Sequence, residues 1–281
     1  MSLKDILVCL DAGPASAGRL NLAVALARAQ GSELSAAFLD GSAGSEHRDA
    51  ATLLAGLAAP SPRAIELSRD VTLAADQEEC FRRSQCALGA HGGWDHVEQG
   101  DLARLIHLAR TPDLVVMGQI SPHAWRSPWW RIDDIIVACG RPVLLVPYVG
   151  SYSEVGRRVL IAWDCSREAS RALHDALPII KDALTVTIVT VRSSGSVSQH
   201  DRASINRVLR HLARHDVDAR ADHMVRGDTA VADVLLSAAM DCAADLIVAG
   251  GYHRAPWREA LAGGVSRSLL DSMTVPVLMS H

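Results

Sequence analysis

Gly227-Asp228, an apolar helical stretch, and then Ala244-Asp245-Leu246-Ile247-Val248-Ala249-Gly250 restate an earlier passage of the same chain. That passage is Gly100-Asp101, another apolar stretch, and Pro112-Asp113-Leu114-Val115-Val116-Met117-Gly118. Each copy then runs through a proline to an apolar end, Arg141-Pro142-Val143-Leu144-Leu145-Val146 in one and Val275-Pro276-Val277-Leu278-Met279 in the other. The openings agree as well: Asp5-Ile6-Leu7-Val8-Cys9-Leu10-Asp11 pairs with Arg158-Val159-Leu160-Ile161-Ala162-Trp163-Asp164. A repeat of this kind indicates a duplicated α/β domain, which places any ligand site on equivalent loops of each copy.

The offsets locate the boundaries. Asp164 follows Asp11 by 153 residues, whereas Asp245 follows Asp113 by 132 and Pro276 follows Pro142 by 134. Order is kept while the offset shrinks, so copy one carries an insertion, placed at residues 41–84. The expected domains are residues 1–150 and 155–281, each of a size that closes one core.

Within copy two, residues 158–163 are a continuous apolar run, as in a parallel strand buried on both faces. Ser166 is placed to cap the next helix. Further strands are expected at 185–192, 219–225, 245–249 and 275–279, with helices at 199–215, 228–243 and 264–272. Copy one follows with strands near 5–10, 33–39, 92–97, 113–117 and 142–146. Alternating strands and helices predict two tandem domains, each a five-stranded parallel sheet flanked by helices. The final strands of both copies would be bare edges if each copy stood alone, so they are expected to meet in an intramolecular pseudo-dimer.

Composition narrows the function classes. A net charge of −4 leaves no basic footprint for nucleic acid. No apolar run approaches the ~20 residues that a membrane span needs. The first residues enter a strand without a secretory pattern, so a cytoplasmic location is expected. Six cysteines, at 9, 80, 86, 139, 165 and 242, show no CxxC spacing and are expected as mostly buried free thiols. His211 and His215 have the i,i+4 spacing of helical metal ligands, yet nothing in sequence completes the set, and no metal site is assigned.

The chain resembles the universal stress proteins in their tandem two-domain form. The resemblance rests on Val159-Leu160-Ile161-Ala162-Trp163-Asp164-Cys165-Ser166, Gly227-Asp228, Asp245 to Gly250, and Gly263-Gly264-Val265-Ser266-Arg267 before Val275-Pro276-Val277-Leu278. It covers nearly the whole chain apart from the insertion. It implies a Rossmann-like fold related to the adenine nucleotide α-hydrolases, dimers, frequent ATP or AMP binding, and a role in stress survival.

ATP-binding members of that family carry Gly-x2-Gly-x9-Gly-Ser/Thr after the fourth strand. Glycines admit phosphates to backbone N–H groups, and the following helix N-terminus adds its dipole. This chain reads Gly250-x2-His253-x9-Gly263-Gly264. His253 replaces a glycine and Gly264 replaces the hydroxyl residue, so half the cradle is kept. His253 is expected to obstruct the phosphates. The resemblance also assigns Ala162, Asp164, Val225 and Gly227 to the surroundings of adenine and ribose, and Val265 and Ser266 to the phosphate end. Copy one reads Gln119 to Trp130 after Gly118, with two prolines and three tryptophans, and no ATP is expected there.

No Gly-x-Ser-x-Gly elbow, Walker pattern or zincin motif occurs. The expectation is a non-enzymatic stress-response module that binds a small ligand or a protein partner, with a slow ATPase as the alternative. No catalytic residue is assigned.

Overall fold

The computed structural model describes residues 2–40, 62–120, 130–193, 199–252 and 264–281, without the side chains of 62–71 and 200. Ten strands form one sheet in the order β3-β2-β1-β4-β5-β10-β9-β6-β7-β8. The first half supplies β1 (Asp5–Leu10), β2 (Glu33–Leu39), β3 (Trp94–Val97), β4 (Leu114–Gly118) and β5 (Val143–Val146). The second supplies β6 (Arg158–Ala162), β7 (Thr185–Arg192), β8 (Ala219–Val225), β9 (Leu246–Gly250) and β10 (Val277–Ser280). Every pairing within a half is parallel. The two halves meet through one antiparallel pairing, with Leu144 opposite Leu278, Leu145 opposite Val277 and Val143 opposite Met279.

Eight helices lie among the described residues: α1 (Ser16–Gln30), α2 (Pro62–Leu88), α3 (Leu102–Ala109), α4 (Ile132–Cys139), α5 (Arg167–Ile180), α6 (Gln199–Ala213), α7 (Val231–Asp241) and α8 (Val265–Ser272). None is long and apolar enough to cross a membrane. The stretch expected as an insertion, 41–84, contains most of α2; residues 41–61 lie outside the described part.

Strand side chains alternate between two cores, one on each face. Val8, Val116, Leu144, Leu278, Val248 and Ile161 belong to one core. Leu7, Val115, Leu145, Val277, Ile247 and Leu160 belong to the other. Each core therefore runs through both halves, which explains the unbroken apolar runs: a central strand has no polar face.

The repeated aspartates have a structural task. Asp245 accepts backbone N–H groups from Gly156, Arg157 and Arg158 at 2.7–3.1 Å, tying the entry of β6 to β9. Asp113 does the same for Lys4 and Asp5, at 2.7 and 3.2 Å. These carboxylates sit at the amino ends of the strands, opposite the ligand loops.

The cysteine expectation is corrected in part. All six are free, but only Cys9 and Cys139 are buried; Cys80, Cys86 and Cys165 are exposed and Cys242 is intermediate. Cys80 and Cys86 lie on the long helix α2, and Cys165 sits in the turn after β6, so neighbouring apolar letters were a poor guide to burial there.

Candidate functional site

In each half the sheet order reverses beside its first strand: β1 has β2 on one side and β4 on the other, and β6 has β7 and β9. Loops diverge at such a switch point and leave a crevice at the carboxyl ends of the strands. Asp11 and Gly118 stand there in the first half, Asp164 and Gly250 in the second.

The two aspartates begin the same local turn. Asp11 Oδ1 accepts the Gly13 N–H at 2.7 Å, and Asp164 Oδ1 accepts the Ser166 N–H at 2.9 Å. Beyond that they differ. Ser166 caps α5 by accepting the Ala169 N–H at 3.0 Å, while Asp164 stays exposed and Cys165 takes a left-handed φ of 66° between them. In the first half, Arg19 donates to Asp11 Oδ2 at 2.6 Å and to Ser16 Oγ at 2.7 Å. Eight residues after Asp164 stands Ala172.

Arg19 is 3% exposed. Burial would push the Asp11 carboxyl upward, but the Arg19 guanidinium, the Gly13 N–H and the Ser16 hydroxyl together hold it below the usual carboxylate range. A Cβ built on Gly118 would lie 1.6 Å from Arg19 Nη1. The guanidinium therefore lies against the bare backbone of Gly118 at the first switch point. Sequence reasoning missed Arg19, although the buried face Leu20, Leu22, Ala23, Leu26 and Ala27 of α1 frames it as an arginine facing the core.

Gly250 has a different constraint. Its Cβ would lie 2.4 Å from the Ala169 nitrogen and 2.6 Å from the Glu168 carbonyl carbon, so α5 presses its first turn against bare backbone. Ala162 ends β6, half-buried. Val225 ends β8 and is 61% exposed; Val265, at the start of α8, is 43% exposed. Gly227 adopts a φ of 55°. Gly264 is the N-cap of α8 and offers no side-chain cap to its first N–H groups. Ser266 faces inward: its Oγ accepts the Tyr252 N–H at 3.1 Å. His253 and Gly263 lie outside the described residues, as does the Trp129 region of copy one.

The ligand loops also join the halves. Tyr252, buried with a φ of 56°, donates its hydroxyl to Asp133 on α4. In the counterpart loop, Gln119 donates to the Leu270 and Asp271 carbonyls at 2.8 and 3.2 Å. A hydroxyl–imidazole contact that sequence could not foresee, Thr190 Oγ1 to His223 Nδ1 at 2.6 Å, is a cross-strand pair of β7 and β8.

Residues 156–281 match the sequence profile of the universal stress protein family. A universal stress protein from Archaeoglobus fulgidus DSM 4304 superposes with a TM-score of 0.69 at 16% identity, covering 98% of this chain and 95% of its own. A universal stress protein described as putative, from Pseudomonas aeruginosa UCBPP-PA14, gives 0.55 at 17% identity, with 99% and 93% covered. At these identities the likeness is one of fold. No curated protein matches the chain by sequence. Residues 156–281 thus form a domain of the universal stress protein family, and the first half repeats the same strand order.

Proposed function

We propose that this stress-response protein works by binding rather than catalysis, holding an adenine nucleotide, ATP or AMP, weakly in its second half and presenting that state to a protein partner. The observation that carries this reading is the difference between the two switch points: a buried arginine, Arg19, lies against Gly118 in the first, and an alanine stands at the matching place in the second.

The residues present fit a nucleoside better than a triphosphate. Asp164 is exposed and free to accept ribose hydroxyls, and the uncovered side chains of Val225 and Val265 offer apolar surface to a base. The phosphate end rests on the backbone of Gly250, Gly264, Val265 and Ser266. There the helix N-terminus attracts charge, but the hydroxyl of the family pattern is missing and Ser266 has turned inward. An adenine nucleotide, when bound, would supply the charge that tells the two ligand states apart; the chain's own residues orient it.

The test is calorimetry with ATP and AMP on the purified chain, with mass spectrometry for carried nucleotide. Weak binding is expected, tightened in the double variant His253→Gly, Gly264→Ser. Each regained hydrogen bond to a charged phosphate contributes roughly 1.5–3 kcal/mol before losses. Absence of binding in both proteins would retire the nucleotide and leave a partner-binding module.

A further inference from the structure

β3 closes one end of the sheet and β8 the other. A sheet edge presents backbone donors and acceptors that another strand can take. The two edges differ. β3 has four residues, and its charges are paired within the chain: Asp95 accepts from Arg104 at 2.8 Å, and His96 meets Asp40 at 3.1 Å. β8 has seven residues, Ala219-Arg220-Ala221-Asp222-His223-Met224-Val225, with no proline or glycine. Arg220, Asp222, His223 and Val225 are exposed. Arg220 Nε donates to Thr187 Oγ1 at 3.2 Å, and Asp222 Oδ1 accepts the N–H of its neighbour His223 at 2.8 Å. Among the described residues neither charge has an ion-pair partner.

The ladder fixes which backbone groups look outward. The Arg226 N–H bonds the Arg192 carbonyl of β7 at 2.8 Å. Alternate residues of a strand turn their N–H and C=O to opposite sides. Met224, Asp222 and Arg220 therefore also face β7, while Ala219, Ala221, His223 and Val225 turn theirs away from it. Side chains alternate between the faces of the sheet, so Arg220 and Asp222 share one face.

The strand is complementary to itself. Laid antiparallel on a copy with Ala221 opposite Ala221, it forms hydrogen-bonded pairs there and between Ala219 and His223. Arg220 then stands opposite Asp222 in the non-hydrogen-bonded pairs, where facing side chains come closest. A two-fold axis makes this ion pair twice. Centring on His223 instead sets Arg220 against Arg226, and centring on Ala219 sets Asp222 against Asp216.

We propose that β8 is the docking edge for a second copy of this chain, joined antiparallel about a two-fold axis at Ala221, with Arg220 of each copy paired to Asp222 of the other. Charge and backbone direction select the same register. Because β5 and β10 already hold each other inside the chain, this contact runs two ten-stranded sheets into one. It does not depend on a bound nucleotide.

The test is the mass of the full chain in sedimentation velocity from roughly 1 to 100 μM, since a small interface associates at micromolar concentrations. The mass should rise from 30.0 kDa toward twice that value. Arg220→Asp sets aspartate against aspartate in both pairs, and Asp222→Arg sets arginine against arginine. Each alone should weaken association roughly tenfold or more. Mixed one to one, the two variants should associate with each other, because every pair then joins opposite charges. Both positions are exposed, and thermal melting verifies that each variant folds. A natural chain that stays single across this range overturns the proposal; the charges would then guard the edge against pairing. Association that neither reversal weakens also overturns it, because the copies would meet elsewhere. Reversals that separate the copies without rescue on mixing overturn the register at Ala221. Growth beyond a dimer would overturn the two-fold contact in favour of β8 meeting β3 head to tail.

Discussion

Arg19 donates to Asp11 across 2.6 Å from within the space that a side chain at Gly118 would occupy. One buried guanidinium thus meets the carboxylate that opens the first crevice. It also favours glycine at 118 for a reason unrelated to phosphate binding, since a Cβ there would have to displace the guanidinium.

Arg19→Met should destabilise the fold by about 3 kcal/mol, at the lower end for breaking a buried ion pair because the Asp11 side chain is 28% exposed. In the natural chain the Asp11 carboxyl titrates lower folded than unfolded. Its contribution is therefore complete above the unfolded value of about 3.9 and lost as pH falls through the folded one. In the variant the Gly13 N–H and the Ser16 hydroxyl still oppose burial but the guanidinium is gone, so the carboxyl titrates higher than in the natural chain and stability gains less as pH rises past about 4. Urea unfolding between about pH 3 and pH 6 reads both slopes. Identical midpoints and slopes would mean the pair contributes nothing.

Gly118→Ala and Gly250→Ala should fail differently. At Gly250 the new methyl meets backbone of α5, which yields only if the helix moves, costing about 1–3 kcal/mol and weakening any nucleotide bound above it. At Gly118 it meets the end of Arg19 and expels the guanidinium, so the variant should reproduce the pH slope of Arg19→Met. The double variant Gly118→Ala, Arg19→Met should then be far from additive in denaturant unfolding.

Tyr252→Phe removes the hydroxyl that reaches Asp133 in the other half. A bond to a carboxylate contributes roughly 1.5–3 kcal/mol, and Asp133 keeps Arg131 at 3.0 Å as a second partner, so the smaller figure is expected. Hydrogen exchange should show faster opening at α4 and near Gly251, with the β5–β10 strands unchanged. Equal acceleration across both halves would mean Tyr252 holds more than the loop.

Thiol labelling should divide the cysteines by burial. Cys80, Cys86 and Cys165 are exposed and should react in the native protein. Cys9 should not react until unfolding, because burial pushes its thiol up to about 12. Native labelling at Cys9, read by peptide mass mapping, would show that β1 opens.

Strand positions were legible because the signals are local. The apolar runs around Val8, Val116, Leu160 and Val248 have no polar face, and a strand covered on both sides needs none. The Asp113 and Asp245 repeats marked the duplication correctly, although their carboxylates serve the strand entries and not the ligand loops. The family resemblance likewise pointed to Asp164 and Gly250, which the fold sets at the switch point of the second half.

The sequence by itself determined the duplication, the α/β alternation and the two final apolar strands that lacked a partner, because each is written in residues near one another in the chain. Only the tertiary structure decided that those strands meet antiparallel, Leu144 against Leu278. It alone put Arg19 under Gly118 and turned Ser266 toward Tyr252. Those facts depend on which side chains share a point in space after the helices pack on the sheet, and periodicity along the chain carries no record of that.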